Sequence, residues 1–163
     1  MDYTIIDTHC HPQFPQYDED RDAIMARAHE NNIGMICVGT DLETSRSAVA
    51  LVEKYEGVYM SVGLHPTDLS ESTPYRVSDF EKVALHPKVV AIGEIGLDYF
   101  HVKDPRLQEK QKELFLDQLA LAQKLSKPII VHCRDAHTDM IELLKKNKDR
   151  STTLRGVIHS YSG

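Results

Sequence analysis

Basic charge is in short supply in this sequence: 19 Lys and Arg stand against 25 Asp and Glu, a net charge of −6. A broad electrostatic grip on nucleic acid draws on clustered Lys and Arg, so the balance argues against one. Another route stays open, because divalent cations in a carboxylate-rich pocket put positive charge where a phosphate must sit. Cysteine is scarce too. The three thiols, Cys10, Cys37 and Cys133, are odd in number and include no Cys-x-x-Cys pair, which argues against a disulfide framework and suits a reducing compartment. No apolar stretch reaches the ~20 residues of a membrane span, and Met1-Asp2-Tyr3-Thr4 has no basic leader. The expectation is a soluble, cytoplasmic protein with no membrane association and no obligate protein partner. Repeats, low-complexity tracts and linkers are missing as well, and Leu69 to Pro74 is merely a polar loop. With 163 residues, 41% hydrophobic and 27% charged, one domain is expected.

What the sequence does have is an alternation of short β-rich runs with longer amphipathic ones. Strands are expected at Tyr3 to Asp7, Met35 to Val38, Val58 to Val62, Val89 to Ile92, Ile129 to His132 and Gly156 to Ile158. Between them, helices are expected at Asp20 to Asn31, Leu42 to Tyr55, Ser78 to Leu85, Pro105 to Leu125 and Asp135 to Lys146. Pro105 suits a first helical turn, where its missing N–H costs nothing. Such alternation predicts an α/β fold with a parallel sheet and helical crossovers. Runs as short and apolar as Ile129-Ile130-Val131 read as strands buried on both faces.

An open doubly wound sheet and a closed barrel both fit this pattern. Most of these strands end in polar chemistry, which suits the mouth of a barrel better than a single switch point. A (β/α)8 TIM barrel takes ~250 residues. Residues 1–163 therefore read as one TIM-barrel-type domain supplied with roughly its first six strands and incomplete at its C-terminal end, the rest lying outside these residues or coming from another chain.

Metal-ligand side chains finish several of the runs. His9 and His11, two apart at a strand end, project to one face and can share an ion; Cys10 between them turns to the opposite face as packing. Asp7, on the histidine face, is a candidate acceptor for an imidazole N–H. Glu94, between Gly93 and Gly96, reads alone as a loop glutamate or as a ligand, and its two oxygens suit it to bridge two cations. His132 and His159 close two further runs; each alone reads as a buried, backbone-satisfied histidine, but their recurrence at strand ends favours a second ion beside Glu94. Those five residues are the expected metal ligands.

The neighbours have more than one reading. His65, just beyond a strand, either touches substrate or caps a loop. Arg134 either clamps a phosphate through its planar fork or pairs with a nearby acid. Asp135 reads as an N-cap, and Asp98 and Tyr99 as stabilisers of the loop carrying Glu94, with direct substrate contact the lesser reading. His86 precedes its strand, at the end of a barrel that serves stability. His29, His101 and His137 are expected to be solvated.

Together, Asp7-Thr-His9-Cys-His11, Val62-Gly-Leu-His65-Pro, Gly93-Glu94-Ile-Gly-Leu-Asp98-Tyr, Pro128-Ile-Ile-Val-His132-Cys-Arg134-Asp135-Ala and His159-Ser-Tyr-Ser-Gly163 resemble the TatD family of metal-dependent deoxyribonucleases. The resemblance covers the whole chain. It implies a TIM-barrel hydrolase of the amidohydrolase-like superfamily that uses two divalent ions, Mg, Mn or Zn, to cleave DNA phosphodiesters, often from 3′ to 5′. By the family pattern His9 and His11 hold one ion, Glu94 bridges, and His132 and His159 hold the other. Members carry a further aspartate at the end of the eighth strand, a ligand and base, and residues 1–163 stop before that position. The expected function is then DNA cleavage by a metal-activated water, with Glu94 and Arg134 as catalytic residues and His65 and Arg134 binding substrate. A metal-dependent amidase or esterase is the alternative, because the same centre polarises a carbonyl. A third reading is an inactive interaction module.

Overall fold

The structure is a computed structural model that describes residues 3–72, 75–148 and 154–161. Pro74 and Gly163, which close the polar loop and the last motif named above, lie outside them. Among the described residues six strands alternate with five α-helices: β1 (Ile5–Cys10), α1 (Arg21–Glu30), β2 (Ile33–Val38), α2 (Leu42–Lys54), β3 (Val58–Val62), α3 (Val77–Ala84), β4 (Val89–Asp98), α4 (Pro105–Lys124), β5 (Ile129–Arg134), α5 (His137–Lys148) and β6 (Gly156–Ile158). Every neighbouring pair is parallel and the strand order is simply 1 to 6. A doubly wound sheet would reverse its order at a switch point. This one does not, and the architecture is a half-barrel, a partial TIM barrel.

Local chemistry explains why the helices start where they do. Asp41 Oδ1 accepts the Thr44 amide at 2.7 Å while Thr44 Oγ1 accepts the Asp41 amide at 3.0 Å, a reciprocal box that opens α2. Pro105 occupies the first turn of α4, and Asp104 before it accepts the Arg106 amide. Asp135 does not cap α5 directly. It lies two residues before His137, at φ +53°, where it turns the chain out of β5.

Helices cover one face of the sheet. Met60, Val62, Ile92, Ile95 and Leu97 meet Phe115, Leu119 and Ala122 of α4 in the main core. The intervening residues Val38, Ala91 and Ile130 form a separate small cluster, as alternation along strands requires. Phe115 is wholly buried, and its removal would cost about 3–5 kcal/mol. Two polar side chains interrupt the apolar stripe of α4. Gln118 accepts the Leu64 amide and donates to the Leu64 carbonyl, at 2.7 and 3.1 Å. Gln111 accepts the Asp98 amide at 2.9 Å and donates to the carbonyls of Pro66 and Asp98. Main-chain groups at the ends of β3 and β4 are thereby satisfied without a strand partner.

Burial on both faces holds for the central strands only. In β1, Ile5 and Ile6 are exposed, and so are Val157 and Ile158 of β6, because each of these strands has a neighbour on one side. The largest change in extent is at β4, which runs six residues past the expected end at Ile92, through Glu94 to Asp98. Glycines and acids within a strand weaken its pattern, yet here Gly93 and Gly96 let β4 pass β5 closely. A Cβ on Gly96 would lie 1.9 Å from the His132 carbonyl oxygen.

Candidate metal centre

The sheet brings the expected ligands to one end of the strands. His9 lies within β1 and His11 just after it, and the β1–β2 ladder slips by one residue between Asp7 and Cys10, re-aiming the strand end. Cys10 packs against the main core and its thiol donates to the Ile36 carbonyl at 3.3 Å, away from the imidazoles. Glu94 sits inside β4 at a second slip, between Ile92 and Ile95, and is 4% exposed. It is therefore no loop residue. His132 comes from β5, and His159 follows β6, its amide extending the ladder to the Val131 carbonyl at 2.8 Å.

Glu94 stands at the centre. Its Oε2 is 3.2 Å from His9 Nε2, whereas its Oε1 is 3.0 Å from His132 Nδ1 and 3.7 Å from His65 Nε2. Two groups of three ligand atoms result, His9 with His11 and Glu94, and His65 with Glu94 and His132, each compact enough to hold one ion. His65 occupies the place in the second group that the sequence reading assigned to His159. The ring of His159 instead stacks on His9, centroids 3.5 Å apart at 15°, and borders the same cleft.

Hydrogen bonds orient the rings. A carbonyl can only accept, so the 2.8 Å contact of His11 Nδ1 with the Val38 oxygen places the proton on Nδ1 and leaves Nε2 a free lone pair. His65 Nδ1 is held the other way, accepting the Thr67 amide at 3.2 Å with the Thr67 hydroxyl 2.7 Å away. Behind His132, Asp98 Oδ2 lies 3.0 Å from Nε2 and 2.9 Å from the ring of His101. Asp98 also accepts the His101 amide at 2.7 Å. His101 is thus tied to the centre and not merely solvated. Asp7 behaves otherwise than expected, for its carboxylate accepts the backbone N–H of His9 at 3.0 Å. It serves the main chain instead of an imidazole.

Protonation follows from these contacts. Burial alone would raise the Glu94 carboxyl, but hydrogen bonds from His132 and His9 carry it well below the usual carboxylate range. Burial pushes His65 down to about 4, against the pull of Glu94, and lowers His11 and His159. His132 goes the other way: burial opposes its charge, yet Glu94 and Asp98 together raise it. Imidazoles lowered at His11, His65 and His159 beside an ionised Glu94 match the protonation states that divalent metals require, while at His132 a cation would have to displace the proton its two acids favour. One further observation fits a cation: His9 Nδ1 is buried without a hydrogen-bond partner.

These side chains line a cleft of about 620 Å³ together with Cys133, Arg134 and Ser160. Arg134 is exposed at its rim, its guanidinium carbon 4.2 Å from the centroid of the Phe100 ring. Tyr99 donates its hydroxyl to Asp139 at 2.7 Å, holding the loop after β4. Sequence reasoning missed the part played by His101 and the buried Gln111 and Gln118. Their signals were faint: an acid and a histidine three apart after a strand, and two glutamines seven apart on an apolar helical face.

A family profile described as TatD related DNase matches residues 6–163. The uncharacterized metal-dependent hydrolase YabD of Bacillus subtilis is 36% identical over 160 residues, 98% of this chain and 61% of YabD. The 3′-5′ ssDNA/RNA exonuclease TatD of Musicola paradisiaca is 35% identical over 150 residues, 91% of this chain and 55% of that protein. Among solved structures, YjjV, a TatD homologue from Escherichia coli K12, superposes with a TM-score of 0.84 at 36% identity, over 98% of this chain and 61% of that one. The chain spans about three fifths of the length of the curated relatives it matches. Matched across nearly all of its residues by profile, sequence and fold, the chain belongs to the TatD-related DNase family.

Proposed function

We propose that this protein is a two-metal hydrolase that shortens single-stranded DNA from its 3′ end by cleaving phosphodiester bonds. The observation that carries the reading is the position of Glu94, whose two oxygens face two different groups of ligands. A single carboxylate shared in this way suits two-metal centres, where the ions stand ~3.5 to 4 Å apart. His9, His11 and Glu94 would hold one ion, and Glu94, His65 and His132 the other, with His159 bordering the first. Bound there, divalent Mg, Mn or Zn would lower the pKa of a water and neutralise charge developing on a phosphoryl oxygen.

The chain's own residues then position. Asp98 holds the Nε2 side of His132 so that Nδ1 faces Glu94. Arg134, at the rim, presents a planar fork to a non-bridging phosphate oxygen. A DNA substrate is supported by what the TatD relative of Musicola paradisiaca is named for, and a metal-dependent hydrolase by the name of YabD. A cytoplasmic setting is supported by three free thiols. Among the described residues no helix is long and apolar enough to cross a membrane.

The test is a 5′-labelled single-stranded oligonucleotide incubated with Mg, Mn or Zn, beside simple amide and ester substrates. A ladder of 3′-shortened products that disappears with EDTA is the expected result. The acidic net charge of −6 favours a second reading, a small-molecule amidase or esterase. Turnover of an amide or ester with the DNA left intact would establish it instead.

A further inference from the structure

Phe100 is an apolar ring that the fold holds out in water, 46% exposed. Solitary surface apolar groups are ordinary and by themselves mean nothing. This one is fixed from both sides. The Tyr99 amide donates to the Arg134 carbonyl at 2.9 Å and the Tyr99 hydroxyl to Asp139, while His101 is bound to Asp98 through its amide and its ring. Cations gather on it: the Arg134 guanidinium carbon at 4.2 Å from the centroid and Lys103 Nζ at 5.4 Å, with His101 edge-on at 4.8 Å. Arg134 also lines the cleft that holds Glu94 and His132, so its guanidinium links the ring to the rim of that cleft.

We propose that Phe100, braced by Arg134, forms a stacking shelf for the nucleobase beside the phosphodiester in the cleft. The proposal rests on the nucleic-acid reading above and names how the strand is gripped. A chain with net charge −6 has little to hold a polyanion by long-range attraction. Stacking supplies affinity without net charge, tolerates any base because every base has a π face, and is worth most where successive bases are unpaired. In a duplex both faces of a base are already covered. The shelf therefore selects a single strand, whereas the ligand groups see only the phosphate.

The experiment compares wild type, Phe100→Ala and Phe100→Tyr on a single-stranded oligonucleotide and on the same strand made abasic at its 3′ end. Phe100→Ala should raise KM on the base-bearing strand about five- to 150-fold, with far less change in kcat, and Phe100→Tyr should restore it. On the abasic strand wild type should already show the raised KM, and Phe100→Ala should add little. An equal effect of Phe100→Ala on both strands, or none on either, overturns the shelf. Should wild type shorten no strand at all, the hydrolase reading fails separately. Equilibrium binding of the two strands in Mg, followed by fluorescence anisotropy, then decides: the shelf stands if base removal and Phe100→Ala each weaken binding, and falls if neither does. Thermal melts of the two variants show whether each is folded.

Discussion

The Nε2 atom of His132 lies 3.0 Å from the carboxylate of Asp98, a residue with no exposure to solvent. Strand register produces the pair. His132 stands opposite Gly96 in the β4–β5 ladder, and Glu94 and Asp98 lie two residues to either side of that glycine. The imidazole is therefore bracketed, Nδ1 toward one acid and Nε2 toward the other. Carboxylates behind a ligating histidine fix its tautomer and raise its basicity. Asp98→Asn keeps the shape and loses the charge, and should weaken metal binding about 10- to 100-fold. Calorimetric titration with Zn or Mn checks this, and unchanged affinity would remove Asp98 from the centre.

Glu94 serves both ligand groups, so its loss should act on both. In Glu94→Ala we expect elemental analysis to find neither ion retained and metal-dependent turnover abolished. His9→Ala should forfeit one ion and keep the other, since the His65 and His132 group does not include it. A Glu94→Ala protein with native turnover would end the bridging role.

Gly96→Ala tests the close passage of β4 and β5. The added methyl would meet the His132 carbonyl at 1.9 Å, a main-chain atom that cannot swing aside. A destabilisation of about 3 kcal/mol is expected, the upper end of ordinary overpacking. Urea unfolding measures it, with metal affinity falling in parallel as His132 shifts.

The loop after β4 carries a pH signature. Asp139 is held below the usual aspartate range by Lys112 Nζ at 2.7 Å and next by the Tyr99 hydroxyl. A group depressed on folding contributes stability above its unfolded pKa and loses it as pH falls through the folded value. Asp139→Asn should therefore cost up to about 1 kcal/mol at neutral pH, as partly exposed pairs do. The difference from wild type should vanish in acid; melting curves across pH follow it. A gap that persists in acid would mean the carboxylate is not its source.

Alternation of periods two and 3.6 made the order of strands and helices legible, and the histidines at strand ends made their meeting legible too. Extent was harder. β4 escaped notice beyond Ile92 because Gly93, Glu94, Gly96 and Asp98 carry little strand propensity, and only pairing with β5 keeps them extended. The sequence favours His159 over His65 as a ligand, whereas His65 is the one grouped with Glu94 and His132, because spacing to Glu94 depends on how far each loop travels after its strand. His101 lay in a polar loop whose direction no periodicity records. Asp7 misled for a different reason: alternation gives the face of a side chain, but not whether its hydrogen bond goes to a ring or to the main chain.

The two glutamines of α4 carry a consequence for the mouth of the half-barrel. Because their amides impersonate a neighbouring strand, the tip bearing His65 and the tip bearing Asp98 are stitched to a single rod. Neither tip can drift outward alone. Replacing Gln111 or Gln118 by leucine would look like an improvement to the helix's oily seam, yet it would cut those threads and strand main-chain amides and carbonyls in the dry interior.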